Sequence, residues 1–314
     1  MKPSMQIKNI LSHFKTNKSG MNPCNVQEAN GFHPEMQDCV LDFRELVDDK
    51  TLDLNVAILR KGLWVVSRIH VGSSFCSNYF LHCGIYHKLI DYCRANNIKI
   101  SLSTCVFPQS LVMVGMQTVQ RLLVYGDGII DELVVNDIGM LRYATTNLRV
   151  KTILGRLFFK DSRDGRFPKF IDRRTTFSLL SHSDLFEEWH PFGIEIDPIS
   201  NQIDLSQLNG LVGLVVLNSP FCYMSCGNLC RAASAFKPLN KKFRPSSPCA
   251  LECLETASIH NDRLRKESRT LFTVGKTVYF NQSSVCVICS PKITLRRLYF
   301  PLKEFINRLQ GQCQ

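Results

Sequence analysis

Ile98-Lys99-Ile100-Ser101-Leu102, then residues 112–125, the stop Gly126-Asp127-Gly128, and Ile130-Asp131-Glu132-Leu133-Val134-Val135 form the stretch that decides the fold. Its first and last segments are short and apolar, rich in Ile, Leu and Val, as buried strands are. The middle run is long enough for a helix and ends on glycines that do not sustain one. Strand, helix and strand in that order make the unit of a parallel sheet.

Working outward, the same alternation continues on both sides. Upstream, 54–59 (Leu54-Asn55-Val56-Ala57-Ile58-Leu59) and 64–69 read as strands, and 84–96 reads as a helix with Ile85, Leu89, Ile90 and Cys93 on one stripe. Downstream, 138–145 reads as a helix and 152–158 as a strand. Residues 192–196 and 211–217 are short and apolar enough to be buried parallel strands. The residues alone therefore imply an α/β barrel or a wound sheet. Near the end, 271–280 reads as a β hairpin around Gly275, and 301–309 as an amphipathic helix with Pro301 in its first turn.

Cysteine spacing supplies the candidate chemistry. Cys76 stands just after a strand, in Val71-Gly72-Ser73-Ser74-Phe75-Cys76, and far downstream Cys230, Cys249 and Cys253 form a trio spaced Cys-x18-Cys-x3-Cys. One distant thiolate and a clustered trio can close a four-ligand cage around an iron–sulfur cluster or a zinc ion. Cys222 and Cys226 compete for these places, because they recur every fourth residue with Cys230. Asn218-Ser219-Pro220 and Gly227 break a helix there, so the segment reads as a loop leaving a strand end. Cys249 and Cys253 suit the first turn of a helix behind Pro248, where residues four apart point the same way. Cys286-x2-Cys289 has metal-like spacing too, but it reads as a strand, whose residues three apart face opposite sides.

Fourteen cysteines in a 314-residue chain with no apolar run of membrane-span length and no secretory leader point to a cytoplasmic protein with reduced thiols. Most of these cysteines, including Cys39, Cys83, Cys93 and Cys105, then read as small buried hydrophobes. The net charge of +11 favours an anionic partner without naming one. Arg231, Lys237, Lys241, Lys242 and Arg244 fall among the cysteines, and Arg263, Arg265, Lys266 and Arg269 follow. They read equally as a solvated face and as an RNA-binding patch.

Common catalytic signatures are absent: there is no Gly-x-Ser-x-Gly, His-Glu-x-x-His, Walker loop or Gly-x-Gly-x-x-Gly. His70, His82, His182 and His190 have no partner at motif spacing. Asp131-Glu132 and Glu195-x-Asp197, read at strand ends, are candidate general bases by position.

Val71 to Ser77 with Lys99 to Thr104, then Leu133-Val134-Val135-Asn136-Asp137-Ile138-Gly139 and Leu154-Gly155-Arg156-Leu157, resemble the collagenase-like peptidase family U-32. Asn218-Ser219-Pro220-Phe221-Cys222-Tyr223 through Cys253 is similar to its cysteine block, and the nearest flavour is its UbiV-type iron–sulfur branch. The resemblance covers about residues 55–260. It implies a (β/α) TIM-barrel-like domain with a cysteine-rich cluster-binding segment, with a [4Fe–4S] cluster on Cys76, Cys230, Cys249 and Cys253. It also implies a role in oxygen-independent hydroxylation of an aromatic quinone precursor, as in ubiquinone biosynthesis, or of an RNA base, often as a heterodimer of two related chains. The domain reading is then a polar N-terminal arm over 1–50, the barrel-like iron–sulfur domain over 51–260, and a C-terminal extension of hairpin and helix over 261–314. Two rivals are a peptidase, as the family label says, and a zinc-stabilised RNA-binding module, since zinc accepts four cysteines equally well.

Overall fold

A computed structural model describes residues 40–42, 67–159, 183–197, 202–219, 221–227, 229–235, 237–242, 249–254, 257–260, 271–281, 286–288 and 292–299. Eight parallel strands close into a barrel: β1 (Val40–Asp42), β2 (Arg68–Gly72), β3 (Lys99–Ser103), β4 (Ile130–Val135), β5 (Lys151–Leu154), β6 (Gly193–Ile196), β8 (Leu214–Ser219) and β14 (Thr294–Tyr299). They follow one another around the ring in chain order, and β14 pairs with β1 to shut it. Of the two architectures left open by the residues, the TIM-barrel-like one is therefore found. The barrel takes β1 from the stretch read as an arm and β14 from the stretch read as an extension. The expected strand at 54–59, the expected helix at 301–309, His182 and Arg244 lie outside the described residues.

Alternation explains why the strands sit where they do. In β2, β3 and β4 the residues Ile69, Val71, Ile100, Leu102, Leu133 and Val135 are buried in one large apolar cluster. That cluster also holds Leu89, Ile90 and Cys93 of α2 (Tyr86–Ala95) and Val119 and Leu122 of α3 (Val112–Tyr125), so this face looks outward onto the helices. With a side-chain period of two, His70, Ser101, Ser103, Glu132 and Val134 must point into the barrel. Val134, Ile153, Leu214 and Val216 pack there as a small apolar layer.

One group of charged residues lies toward the strand starts. Arg68 donates to Asp131 Oδ2 at 2.9 Å, Ser101 Oγ donates to Glu132 at 2.5 Å, and Arg296 of β14 grips Glu132 with two bonds of 2.6 and 2.9 Å. Asp131 and Glu132 thus stand at the beginning of β4, not at its end as the sequence reading had it. They face away from the rim where barrel enzymes place their chemistry. Burial alone would lift the Asp131 carboxyl, but its hydrogen bonds and charge interaction with Arg68 win and hold it below the usual carboxylate range.

Between β8 and β14 the chain leaves the barrel and builds a second layer. Four antiparallel strands lie in the order β10 (Ala257–His260), β11 (Leu271–Val274), β12 (Thr277–Asn281) and β9 (Phe221–Cys226). The expected hairpin around Gly275 is the β11–β12 turn. The segment 221–226, read as a loop, is strand β9. Pairing with β12 holds it extended. A separate parallel pair joins β7 (Gln202–Asp204) to β13 (Cys286–Ile288).

Candidate cysteine site

The inserted sheet rests on the barrel rim through aromatic side chains. Phe75, Phe221, Tyr223, Val274 and Tyr279 form one buried cluster, with Leu157 and Phe272 packed against it. Phe75 comes from the loop after β2, so this cluster joins barrel to insertion beside Cys76. Its ring lies 5.1 Å from that of Tyr223 and 6.1 Å, edge-on, from that of Tyr279.

A tight exit from β2 aims Cys76. Gly72 has φ +101°, a conformation that side chains rarely adopt, and a Cβ there would run into the Ser103 carbonyl of the neighbouring strand. The Ser73 amide donates to that same carbonyl at 3.0 Å. Ser73 Oγ then accepts from the amides of Phe75 at 3.2 Å and Cys76 at 2.7 Å, winding the loop into α1 (Ser77–His82). Cys76 is the residue that precedes α1, and it is half-buried.

The late trio gathers on the insertion. Cys230 precedes α6 (Arg231–Ala235) and its Sγ accepts from the Ala233 amide at 3.4 Å. Burial pushes the Cys230 thiol up, and the nearby charge of Cys249 adds to the rise. Cys249 and Cys253 lie before and within a short 3-10 turn, Glu252–Leu254, rather than the expected first turn of an α-helix. Gly275, at φ +59°, lies against Cys253 and Cys230. A Cβ there would sit 3.4 Å from Cys253 Cβ, 3.8 Å from Cys253 Sγ and 4.0 Å from Cys230 Sγ. The Gly275 carbonyl also accepts from the Arg231 amide at 3.3 Å, fastening the hairpin turn to the Cys230 loop.

One bond spans the gap between the early cysteine and the late trio. Asn78, two residues past Cys76 on α1, donates through Nδ2 to Cys249 Sγ at 3.6 Å. That bond sets α1, which Cys76 precedes, against Cys249; Cys76, Cys230, Cys249 and Cys253 are all half-buried and none is in a disulfide. Among the described residues, no set of three or more His, Cys, Asp or Glu side chains is gathered closely enough to hold a metal ion. The donor set itself suits a soft centre: free thiols on loops, a turn kept open by glycine, and amide N–H groups already aimed at two of the sulfurs.

The competing cysteines fall elsewhere. Cys222 is fully buried in β9 against Phe280, while Cys226 is exposed at the strand's end. Cys286 opens β13, and Cys289 lies outside the described residues. Cys93 and Cys105 are buried, and burial pushes the Cys93 thiol up to about 12, which leaves it inert. Cys39 lies outside the described residues.

The other candidates scatter. His82 and His190 are exposed, and His70 is buried inside the barrel with Nδ1 3.9 Å from Glu195. Asp197 does stand just past the end of β6, but its carboxylate is held by Arg156, with Nε donating to Oδ2 at 2.8 Å and Nη2 to Oδ1. The contacts of Arg156 are not foreseeable from the sequence. A single arginine after a strand carries no spacing signal, and only the three-dimensional neighbours give it meaning.

No protein-family model matches the chain, and no curated protein matches it in sequence. Among solved structures, a U32 peptidase superposes with a TM-score of 0.34 at 13% identity, covering 60% of this chain and 72% of that one. A likeness this distant carries no argument about function. No helix among the described residues is long and apolar enough to cross a membrane.

Proposed function

We propose that Cys76, Cys230, Cys249 and Cys253 hold a [4Fe–4S] cluster and that the chain is the redox component of an oxygen-independent hydroxylation system. Its substrate would be aromatic, a quinone precursor or an RNA base, and a related chain would be its partner in a heterodimer. The observation that carries the reading is the Asn78 bond to Cys249 Sγ, which ties the Cys76 helix to the late trio across 171 positions. With all four ligand places filled by thiolate, a bound cluster would supply electron transfer rather than an open Lewis-acid iron.

The chain's own residues have definite work in this arrangement. Ser73 Oγ fixes the backbone that presents Cys76. Asn78 Nδ2 donates to Cys249 Sγ, and the Ala233 amide donates to Cys230 Sγ, where it offsets part of the rise that burial imposes on that thiol. Gly275 keeps the space between Cys230 and Cys253 free of a side chain. The exposed Arg231 adds positive charge beside four thiolates.

Single alanine variants of the four cysteines, purified under exclusion of oxygen, test the assignment. Each should lose most of its iron and sulfide, while Cys93→Ala retains both. Full iron in Cys76→Ala would contradict the long-range cage and turn attention to Cys226.

A further inference from the structure

We propose that Arg156 is the strut that docks the inserted sheet onto the barrel and onto the loop that presents Cys76, and thereby a positioning residue for the cysteines on the two sides of that seam. Arg156 follows β5 at the rim and is only 4% exposed. Its guanidinium makes two bonds to Asp197, which stands at the end of β6, so its first anchor is the barrel. Its second anchor is the insertion: Nη2 donates to the Phe221 carbonyl at 3.4 Å, and Asp197 Oδ1 in turn accepts from the Tyr223 amide at 3.3 Å. Its third is the cysteine loop itself. The guanidinium carbon lies 5.5 Å from the Phe75 ring and 5.4 Å from the Tyr223 ring, and Phe75 is the residue before Cys76.

One cation therefore touches all three parts whose relative placement decides whether the four thiols meet. The chemistry requires arginine. A planar fork can serve a carboxylate on one edge, a carbonyl on another, and aromatic faces, whereas an ammonium has no plane to lay on a ring. A buried ion pair adds little net stability over apolar packing. The apolar cluster of Phe75, Tyr223 and Tyr279 gives the docking most of its energy, and Arg156 with Asp197 gives it direction. The claim rests on the proposed cluster only for its functional weight, since bringing the thiols together does not need the metal.

Timed alkylation of the full-length chain tests it, after metal has been removed anaerobically, with peptide mass spectrometry reading each cysteine separately. Wild type, Arg156→Lys and Tyr223→Leu are compared. Both variants should alkylate Cys76 and Cys230 roughly tenfold faster than wild type, while Cys93 and Cys105, buried in the barrel core, stay protected. Unchanged rates at Cys76 and Cys230 in both variants would overturn the proposal. So would exposure of Cys93 and Cys105 alongside them in both, because Arg156 would then support the whole fold rather than the docking. If Arg156→Lys does not fold, Tyr223→Leu decides on the same two criteria. Iron is measured separately in wild type: none there counts against the cluster alone, and the thiol comparison still decides the strut.

Discussion

Gly275 and Asn78 touch the cysteines without being ligand candidates themselves. Gly275→Ala combines a strained backbone with a methyl group set against Cys253 and Cys230. It should cost roughly 1 kcal/mol or more in denaturant unfolding and lower iron retention beyond what that loss of stability explains. Asn78→Ala removes a hydrogen bond to Cys249 Sγ without removing a ligand. The expected outcome is a cluster that still assembles but has a more negative reduction potential, measured by anaerobic redox titration, since donors to sulfur stabilise the reduced form. At this scale the sequence was informative where chemistry repeats: four thiols were chosen by spacing, and the structure sets Cys230 and Cys253 beside Gly275 and bonds Cys249 to Asn78, two residues past Cys76. It marked Gly275 only as a hairpin turn and Ser73 and Arg156 only as parts of longer stretches, and it gave Asn78 no particular place. Their roles come from what faces them across the fold, and no local pattern encodes that.

Strands and helices were legible to the degree that burial imposes a period. The α3 and β4 bounds of the structure, Val112–Tyr125 and Ile130–Val135, coincide with the sequence reading because both have apolar faces and a glycine stop between them. Strand β14 escaped for the opposite reason. Its Arg296 points into the barrel and is satisfied there by Glu132, so Thr294–Tyr299 shows no apolar run. That pair ties the last strand to the fourth across the interior. Arg296→Met would take two charged hydrogen bonds from buried Glu132, leaving it Ser101 and an Arg68 contact of 3.3 Å, and should cost about 1–3 kcal/mol by urea unfolding. The neighbouring pair gives a pH signature. Asp131 has its carboxyl lowered by Arg68 in the folded chain, so its contribution is present above the unfolded carboxylate value and is lost as pH falls through the lower folded one. Stability should therefore decline below about pH 3.9, and Arg68→Gln should flatten that part of the curve.

For the whole molecule, the instructive feature is the excursion between β8 and β14. A barrel read from repeated β–α units has no reason to hold its eighth strand back until after a four-stranded antiparallel sheet. Short strands such as Phe221–Cys226 look like loops until their partner, here Thr277–Asn281, is known. The detour carries Cys230, Cys249 and Cys253, and the Asn78 bond to Cys249 brings part of it back to the helix that follows Cys76. Docking through Phe75 follows from that architecture. Phe75→Ala, which empties a side chain 3% exposed in the wild type, should cost about 3–5 kcal/mol and release iron faster on exposure to air.

The most direct test of the central claim is metal and sulfide analysis of the wild-type chain purified without oxygen, with an absorption spectrum taken before and after reduction. About four irons and four sulfides per chain, with a broad visible band that bleaches on reduction, is the result expected of a cluster held by four thiolates. One zinc per chain with no sulfide would contradict it and make the cysteine site a structural zinc centre.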